Sequence, residues 1–226
     1  MDELDIKNIW QLLENKIAKA EVLNQQSWVL NFQCFEFLQK QKTKSILNAL
    51  ARFKLFAIFV GLLWILFLVI LLWGSRFTNP FFSMSTGILL IITVYVVAIY
   101  IRHVILINQI NYEGNILATQ TKLAKLKTST LYCTRIGWLQ MPFYTTWFWD
   151  TNWIIHSGVY FWLTAFPITL LFTLLAVYLF FNINERNLHK KWIKTLLLAG
   201  PEYRDILQSI NFIKEIDDYK KELVLD

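Results

Sequence analysis

The chain has 226 residues, of which 56% are hydrophobic and only 17% are charged, and it carries a formal net charge of +6. Soluble domains contain about 45–50% apolar and about 25% charged residues, so this composition excludes an ordinary soluble domain and favours an integral membrane protein. The two cysteines, Cys34 and Cys133, stand alone and lack the spacing of a metal site.

Residues 1–52 form a polar region of mixed charge, which we predict to be an amphipathic, cytoplasmic N-terminal helix. Apolar residues recur there at alternating steps of three and four, with Lys16 and Ser27 as polar interruptions. This spacing is typical of a coiled-coil seam, which binds another helix within the chain or across an oligomer. We call the following candidate residues the partner seam: Ile6, Ile9, Leu13, Leu23, Leu30 and Phe37.

Two uniformly apolar runs follow, at residues 55–73 and 81–101. A helix that crosses a bilayer needs about 20 apolar residues, and neither run leaves a polar face for water. The stretch GSRFTNP at residues 74–80 contains the glycine, asparagine and proline of a turn. The sequence therefore predicts two spanning helices joined as a tight antiparallel hairpin.

The next segment, residues 102–130, is a polar loop with helical periodicity. Ile110, Leu117 and Ala124 lie seven residues apart, which places them on one helix face. We expect the second span to continue out of the membrane as a helix, weakened at Gly114.

Residues 131–149 are a third, less uniform apolar segment that contains Arg135, Gln140 and Pro142. An arginine at the centre of a span costs about 2.5–3.5 kcal/mol on insertion scales, but near an end it snorkels to the interface. Arg135 is close to the start of the segment, so we predict a span. The alternative is a segment that lies in the interface or re-enters the membrane.

Residues 160–181 form the fourth apolar run, a predicted span with Pro167 inside it. The transmembrane bundle therefore covers residues 53–181, and cytoplasmic helices are expected over residues 182–226. In that tail, HKKWIKTLLLAG predicts a short interfacial or docking helix, and Pro201 suits the first position of a further helix.

Lysine and arginine residues are unevenly distributed about the four predicted spans. Of the 22 such residues, only Arg76 falls on the side opposite the termini. Since cytoplasmic loops carry an excess of positive charge, we predict that both termini and the loop at 102–130 are cytoplasmic. Residues 40–54 and 189–194 flank spans, so their basic side chains are expected to face anionic head groups. The membrane location of these basic residues accounts for the positive net charge, so we predict no nucleic-acid binding.

Residues 147–162, at the predicted outer ends of the third and fourth spans, are crowded with aromatic side chains. Because Trp and Tyr concentrate where lipid meets water, we predict an outer aromatic belt, with a ligand cage as the alternative. Asp150 and His156 flank this turn and form a candidate outer-turn pair. The competing interpretation is a solvated loop with a helix-capping side chain.

Two prolines within the predicted spans lie at a similar depth, about 10 Å below the outer border at ~1.5 Å per residue. Helix breaks at one level can free carbonyl groups and open a pocket, although prolines are also tolerated in spans without function. We define a candidate transmembrane polar site by four residues: Arg135, Gln140, Pro142 and Pro167.

Signatures of catalysis and of metal binding are absent from the sequence, which has no HExxH, GxSxG, Walker A, GxGxxG or Cys/His cluster. No pair of carboxylates falls inside a predicted span, so the usual marker of an ion-coupled carrier is missing. We expect no catalytic residue, no cofactor and no metal, and we predict that the protein is not an enzyme.

Five stretches, MDELDIKNIWQ, FEFLQKQKTKS, QINYEGNILATQTKLAKL, QMPFYTTWFW and AFPITLLFTLLAVYL, together resemble small uncharacterised integral membrane proteins of Bacteroidota. The resemblance covers most of the chain. It implies a bacterial inner membrane and carries no activity, cofactor or site residue with it.

The sequence thus predicts an all-α, four-span transmembrane bundle with amphipathic, coiled-coil-like cytoplasmic helices. Its predicted function is that of a membrane scaffold or regulatory subunit that acts through cytoplasmic helix–helix contacts. The predicted partners are the lipid bilayer and either further copies of the chain or another membrane or cytoplasmic protein. The alternative function is a small permease or channel with its site between the proline-broken third and fourth spans.

Overall fold

The computed structural model describes the backbone of residues 3–112, 116–156 and 159–225, and the side chains of those ranges between residues 14 and 221. No strand occurs in these ranges, so the prediction of an all-α protein is confirmed. A 3₁₀ turn at Glu185–Asn187 accompanies nine α-helices in the described chain: α1 (Glu3–Gly74), α2 (Pro80–Asn108), α3 (Ile116–Trp138), α4 (Met141–Thr146), α5 (Thr151–His156), α6 (Val159–Leu163), α7 (Ala165–Asn182), α8 (Lys191–Ala199) and α9 (Pro201–Leu225).

The N-terminal region and the first apolar run belong to a single helix, α1, of 72 residues. At ~1.5 Å per residue it is about 108 Å long. Neither glycine nor proline occurs before Gly61, so nothing in the local sequence breaks the helix between its polar and apolar halves. The polar part of α1 is therefore a direct extension of the apolar part.

Three helical segments of the described chain are long and apolar enough to cross a membrane: Glu14–Gly74, Pro80–Asn108 and Val159–Asn182. They contain the first, second and fourth predicted spans. In the last of them, α6 and α7 are separated only at Thr164. Pro167 explains this interruption because it has no N–H to bond with the carbonyl of Leu163, four residues before it.

The predicted hairpin of the first two runs is present. Lys54 adjoins Tyr100, and the Cβ of any larger residue at Gly61 would lie 2.7 Å from Cγ2 of Val97. As the residue number rises along α1, the contacted residue number falls along α2, so the two helices are antiparallel. The missing side chain at Gly61 permits their close approach. At the turn, the side-chain oxygen of Asn79 accepts hydrogen bonds from the first backbone N–H groups of α2.

The third predicted span is not one helix, because α3 ends at Trp138 and α4 begins at Met141. The carbonyl of Trp138 lies four residues before Pro142, which cannot donate to it. The broken segment nevertheless follows α2 closely. Hydrogen bonds join the two along their length, in this order along α2: Asn79–Trp149, Ser85–Thr146, Thr86–Trp147 and His103–Ser129.

The loop at residues 102–130 is a helical hairpin rather than one continuous helix. As predicted, α2 continues past residue 101, but it ends at Asn108, and α3 runs back along it from Ile116. The predicted weak point, Gly114, lies outside the described residues. The return is stabilised by burial of the apolar faces of α2 and α3 in a shared core.

The polar ends of the helices pack on one another within the chain. We call this packed unit the head; it comprises residues 32–54 of α1, the end of α2, the first half of α3, and α9. Its core consists of side chains from all four helices: Leu47, Leu50, Ala51, Ile107, Ile110, Leu123, Leu126, Ile206, Ile213 and Ile216. A second apolar cluster, which includes Ile193 and Leu197, holds α8 against α3 and α7.

Candidate functional site

Lys54, the last basic residue before the first apolar run, is completely buried where the head meets the apolar bundle. Its Nζ lies 2.7 Å from Oε2 of Glu202 in the first turn of α9. The expectation that Lys54 faces lipid head groups is therefore wrong. The start of α9 at Pro201 brings a carboxylate to Lys54, and this carboxylate compensates a charge that would otherwise be costly to bury.

Tyr100 of α2 completes the arrangement around this carboxylate. Its hydroxyl donates a hydrogen bond of 2.7 Å to Oε1 of Glu202, and Nζ of Lys54 lies 4.3 Å from the centroid of its ring. Each carboxylate oxygen thus accepts one charge-assisted hydrogen bond, and the ammonium group also gains a cation–π contact. Lys54 is fully buried, and Tyr100 and Glu202 are half-buried around it; we call the three residues the buried triad.

His103 lies one helical turn beyond Tyr100 and is also buried. One ring nitrogen, Nε2, is 2.7 Å from Oγ of Ser129, and the other, Nδ1, is buried without a hydrogen-bond partner among the described residues. The ring is 6.0 Å from that of Tyr100. The histidine therefore extends the polar layer from the buried triad to α3.

The buried triad connects α1, α2 and α9 through residues that are far apart in the sequence. Removing one partner of a buried ion pair typically costs about 3–5 kcal/mol, because the other charge is left without compensation. The triad therefore fixes the C-terminal helix to the start of the apolar half of α1. Chemically it is a clamp, since both oxygens of Glu202 and the ammonium group of Lys54 are already engaged.

Two clefts border the buried triad. One, of about 240 Å³, has a lining that includes Tyr100, Glu202, Tyr203, Thr130 and Trp138. Burial and the nearby Glu185 carboxylate raise the pKa of Tyr203, so this phenol is neutral at physiological pH.

The other cleft, of about 330 Å³, lies beside it and is lined by Tyr100, Cys133, Trp138 and Gln140. The two clefts share the walls formed by Tyr100 and Trp138.

The candidate transmembrane polar site is only partly assembled. Arg135 donates from Nε to the carbonyl oxygen of Phe180 at 2.9 Å and stacks on the Phe180 ring at 4.6 Å. Gln140 accepts a hydrogen bond from the hydroxyl of Tyr144. The guanidinium group of Arg135 thus has its hydrogen-bond partner on α7, whereas Gln140 lines the 330 Å³ cleft.

Both prolines of that site act as helix breaks, as the sequence predicted. Pro142 lies in the first turn of α4 and Pro167 in the first turn of α7. In each case the preceding helix ends four residues before the proline, at Trp138 and at Leu163. Because α4 packs on α7, the two breaks lie on neighbouring segments.

The outer-turn pair is not brought together. Nδ1 of His156 lies 3.2 Å from the carbonyl oxygen of Asn152, and the carbonyl oxygen of Asp150 accepts from the backbone N–H of Ile154. Within the described ranges, no hydrogen bond or ion pair joins Asp150 to His156. Asp150 therefore begins a short helix, and His156 is exposed at its end.

The aromatic stretch forms a packed cluster around Phe161. This ring is buried, and its centroid lies 5.1, 5.4 and 5.6 Å from the ring centroids of Trp149, Trp153 and Trp162, which pack on it edge to face. Other aromatic side chains of the stretch, such as Tyr160, stay exposed. The centre of the cluster is occupied by a side chain of the protein itself, which argues against the ligand cage.

The described part of the partner seam is unpaired within the chain. Leu23, Leu30 and Phe37 are 66%, 62% and 65% exposed, whereas the side chains of Ile6, Ile9 and Leu13 lie outside the described residues.

A different face of α1 packs on α9. There Phe32 stacks on Tyr219 at 5.6 Å, and Nε2 of Gln39 donates to Glu215 at 2.8 Å. The packing face and the partner seam are thus separate faces of the same helix.

Among the described residues, no group of three or more His, Cys, Asp or Glu side chains comes together in a way that holds a metal ion. Comparison with known proteins finds no matching family model, no matching curated protein and no matching solved structure.

Proposed function

We propose that the protein is an integral membrane scaffold or regulatory subunit that binds a protein partner through the N-terminal part of α1. We call residues 14–31 of α1 the arm. Every side chain of the arm is exposed, including six large apolar ones: Ile17, Val22, Leu23, Trp28, Val29 and Leu30. This exposure is the observation that carries the proposal.

A lone helix of this length is marginal in water, because most helical stability comes from tertiary packing of an apolar face. Exposed apolar patches of this kind mark sites of protein–protein contact. In the arm, apolar groups surround much of the helix, so a partner helix stabilises both its fold and its solubility.

The base of the arm is held firmly, which suits a scaffold. Immediately after the arm, α1 enters the head through the Phe32–Tyr219 stack and the Gln39–Glu215 hydrogen bond. Further along, Lys54 is clamped in the buried triad. A partner bound to the arm is therefore connected by one continuous helix to the membrane.

The proposed topology has four crossings, with both termini and the loop at 102–130 in the cytoplasm of a bacterial cell, at its inner membrane. The hydrogen bonds from Asn79–Trp149 to His103–Ser129 support the third crossing, since they follow α2 over about 36 Å at ~1.5 Å per residue. The distribution of lysine and arginine supports the orientation.

Site-specific photo-crosslinking in native membranes tests the scaffold. A photoreactive phenylalanine in place of Leu30, in the arm, is expected to give adducts of higher mass that contain protein. The same probe in place of Lys220, an exposed residue of α9, is the matched control and is expected to give little adduct. Absence of any protein adduct at Leu30 contradicts the proposal.

A second candidate function, the small permease, is favoured by the 330 Å³ cleft beside Gln140 and the helix break at Pro142. If solute enters this cleft, small water-soluble thiol reagents will modify Cys133, which lines it, in intact vesicles. Protection of Cys133 while Cys34 is modified counts against the permease.

A further inference from the structure

We propose that the partner of the arm is a second copy of this chain, and that the two arms pair in parallel and in register through the described part of the partner seam. The proposal rests on the proposed function, because it requires two copies anchored in one membrane with the same orientation. It adds the identity of the partner, the direction of pairing and the residues that meet.

The spacing of the exposed residues matches a two-helix seam. From Ala20 to Phe37 the steps alternate between three and four, as in the a and d positions of a heptad. Lys16 and Gln41 bound this stretch with polar groups. These steps add Ala20, Ser27 and Cys34 to the described part of the partner seam. All six residues on this face are exposed in the single chain: Ala20, Leu23, Ser27, Leu30, Cys34 and Phe37.

The chain itself leaves this face open along the length of α1. The head covers the face that contains Phe32 and Gln39, which is nearly opposite the seam at 100° per residue. Further along the helix, on the side that continues the seam, Phe59, Leu66 and Ile70 are also exposed. A second α1 can therefore approach the seam without displacing any described helix.

The direction of pairing follows from the continuity of α1. Since the arm extends a helix that enters the membrane, the arms of two equally oriented copies begin at the same height and run the same way. Identical residues then face each other, and Leu30 of one copy packs on Leu30 of the other. An antiparallel pair would require one copy to be inverted in the membrane.

The charges beside the seam are compatible with this parallel register. In such a pair the g position of one helix faces the e position of the next heptad on the other. Lys19 then lies against Asn24 of the second copy, and Gln26 lies against Asn31 of the second copy. No like charges oppose each other between Ala20 and Phe37. Lys16 would face Lys16 of the second copy, and this repulsion ends the apolar contact.

Cys34 makes the proposal directly testable, because it occupies an a position and is exposed, whereas Cys133 is buried. The full chain carrying Cys133→Ser is reconstituted in lipid nanodiscs and treated with a mild oxidant. The expected product is a disulfide-linked species at twice the 26.8 kDa mass of one chain. Adding Cys34→Ser is expected to abolish it.

A matched pair of variants fixes the geometry. In the background without Cys34 and Cys133, Leu30→Cys on the seam is expected to restore the doubled mass, whereas Gln25→Cys on the opposite face is not. Without oxidant and in mild detergent, Leu23→Asp with Leu30→Asp is expected to halve the mass of the protein component of the particle, measured by light scattering. Equal crosslinking of Gln25→Cys and Leu30→Cys overturns the parallel pair, as does an unchanged mass in the double aspartate variant.

The test also separates this proposal from the proposed function. If Leu30 photo-adducts contain a different protein and Cys34 gives no linked dimer, the second-copy pairing is overturned and the scaffold stands. If Leu30 gives no protein adduct and Cys34 gives no dimer, both are overturned.

Discussion

Lys54 and Glu202 lie 148 residues apart in the chain and form a buried ion pair with 2.7 Å between Nζ and Oε2. The ammonium group belongs to the helix that begins the apolar bundle, and the carboxylate belongs to the C-terminal helix. The pair thus connects the polar head to the apolar bundle at the point where the two meet.

The first prediction concerns this pair. Lys54→Met is expected to lower the free energy of unfolding by about 3–5 kcal/mol, because it leaves the Glu202 carboxylate without its cation. Adding Glu202→Leu is expected to recover most of the loss, since an apolar pair replaces the charges. Chemical denaturation in mild detergent measures both effects, and failure of the double variant to recover would indicate that packing, rather than charge, dominates.

The second prediction concerns the hydroxyl of Tyr100. Tyr100→Phe removes the donor to Oε1 of Glu202 and is expected to cost about 1.5 kcal/mol, the lower end for a hydrogen bond to a charged group. Tyr160→Phe, at an exposed position of α6, is the control and is expected to change little. Equal effects of the two variants in the same denaturation assay would contradict the role assigned to the buried triad.

The third prediction concerns the crossing of α1 and α2. Gly61→Ala adds a Cβ 2.7 Å from Cγ2 of Val97, and such overpacking typically costs about 1–3 kcal/mol. Gly87→Ala meets no neighbour within 4 Å and is expected to be neutral or stabilising, since alanine favours helices. Combining Gly61→Ala with Val97→Ala is expected to relieve the clash, and thermal denaturation of the four proteins checks the pattern.

The fourth prediction concerns pH. Burial raises the pKa of Tyr112, in the turn after α2, from 10.0 to about 12, and its hydroxyl is buried without a hydrogen-bond partner among the described residues. The folded chain therefore holds this proton more tightly than the unfolded chain, and stability falls as pH rises from 10.0 to about 12.

Tyr112→Phe removes this titration, so the variant is expected to lose less stability over the same alkaline interval. At neutral pH it is expected to be as stable as the wild type or more so, because a buried hydroxyl without a partner is eliminated. Denaturation curves at neutral pH and across the alkaline interval test both statements. A variant that is less stable at neutral pH would show that the hydroxyl does find a partner.

Much of the fold could be predicted from the sequence because hydrocarbon imposes a simple requirement. Residues 55–73 and 81–101 are long, uniformly apolar and separated by a turn, so their helices and their antiparallel packing follow directly. The third segment was harder, since Pro142 ends α3 four residues upstream and splits the predicted span. A proline marks a break reliably, but it does not reveal the path that the chain takes afterwards.

The candidate site could not be predicted in the same way. Lys54 looks in the sequence like any basic residue that flanks a span, and Glu202 looks like an ordinary acidic residue at a helix start. Only the return of α9 to the base of α1 brings them together. Periodicity likewise identified Leu23, Leu30 and Phe37 as one face of α1, but it could not show that α9 packs on the opposite face.

Single-cysteine labelling tests whether the arm lies in the cytoplasm while α1 is anchored in the membrane. In a chain without Cys34 and Cys133, Thr78→Cys, in the turn between α1 and α2, and Gln25→Cys, in the arm, are compared in spheroplasts with an impermeant maleimide. We expect Thr78→Cys to be labelled while the membrane is intact, and Gln25→Cys only after it is opened. Labelling of Gln25→Cys on intact spheroplasts, or protection of Thr78→Cys, would rule out a cytoplasmic arm.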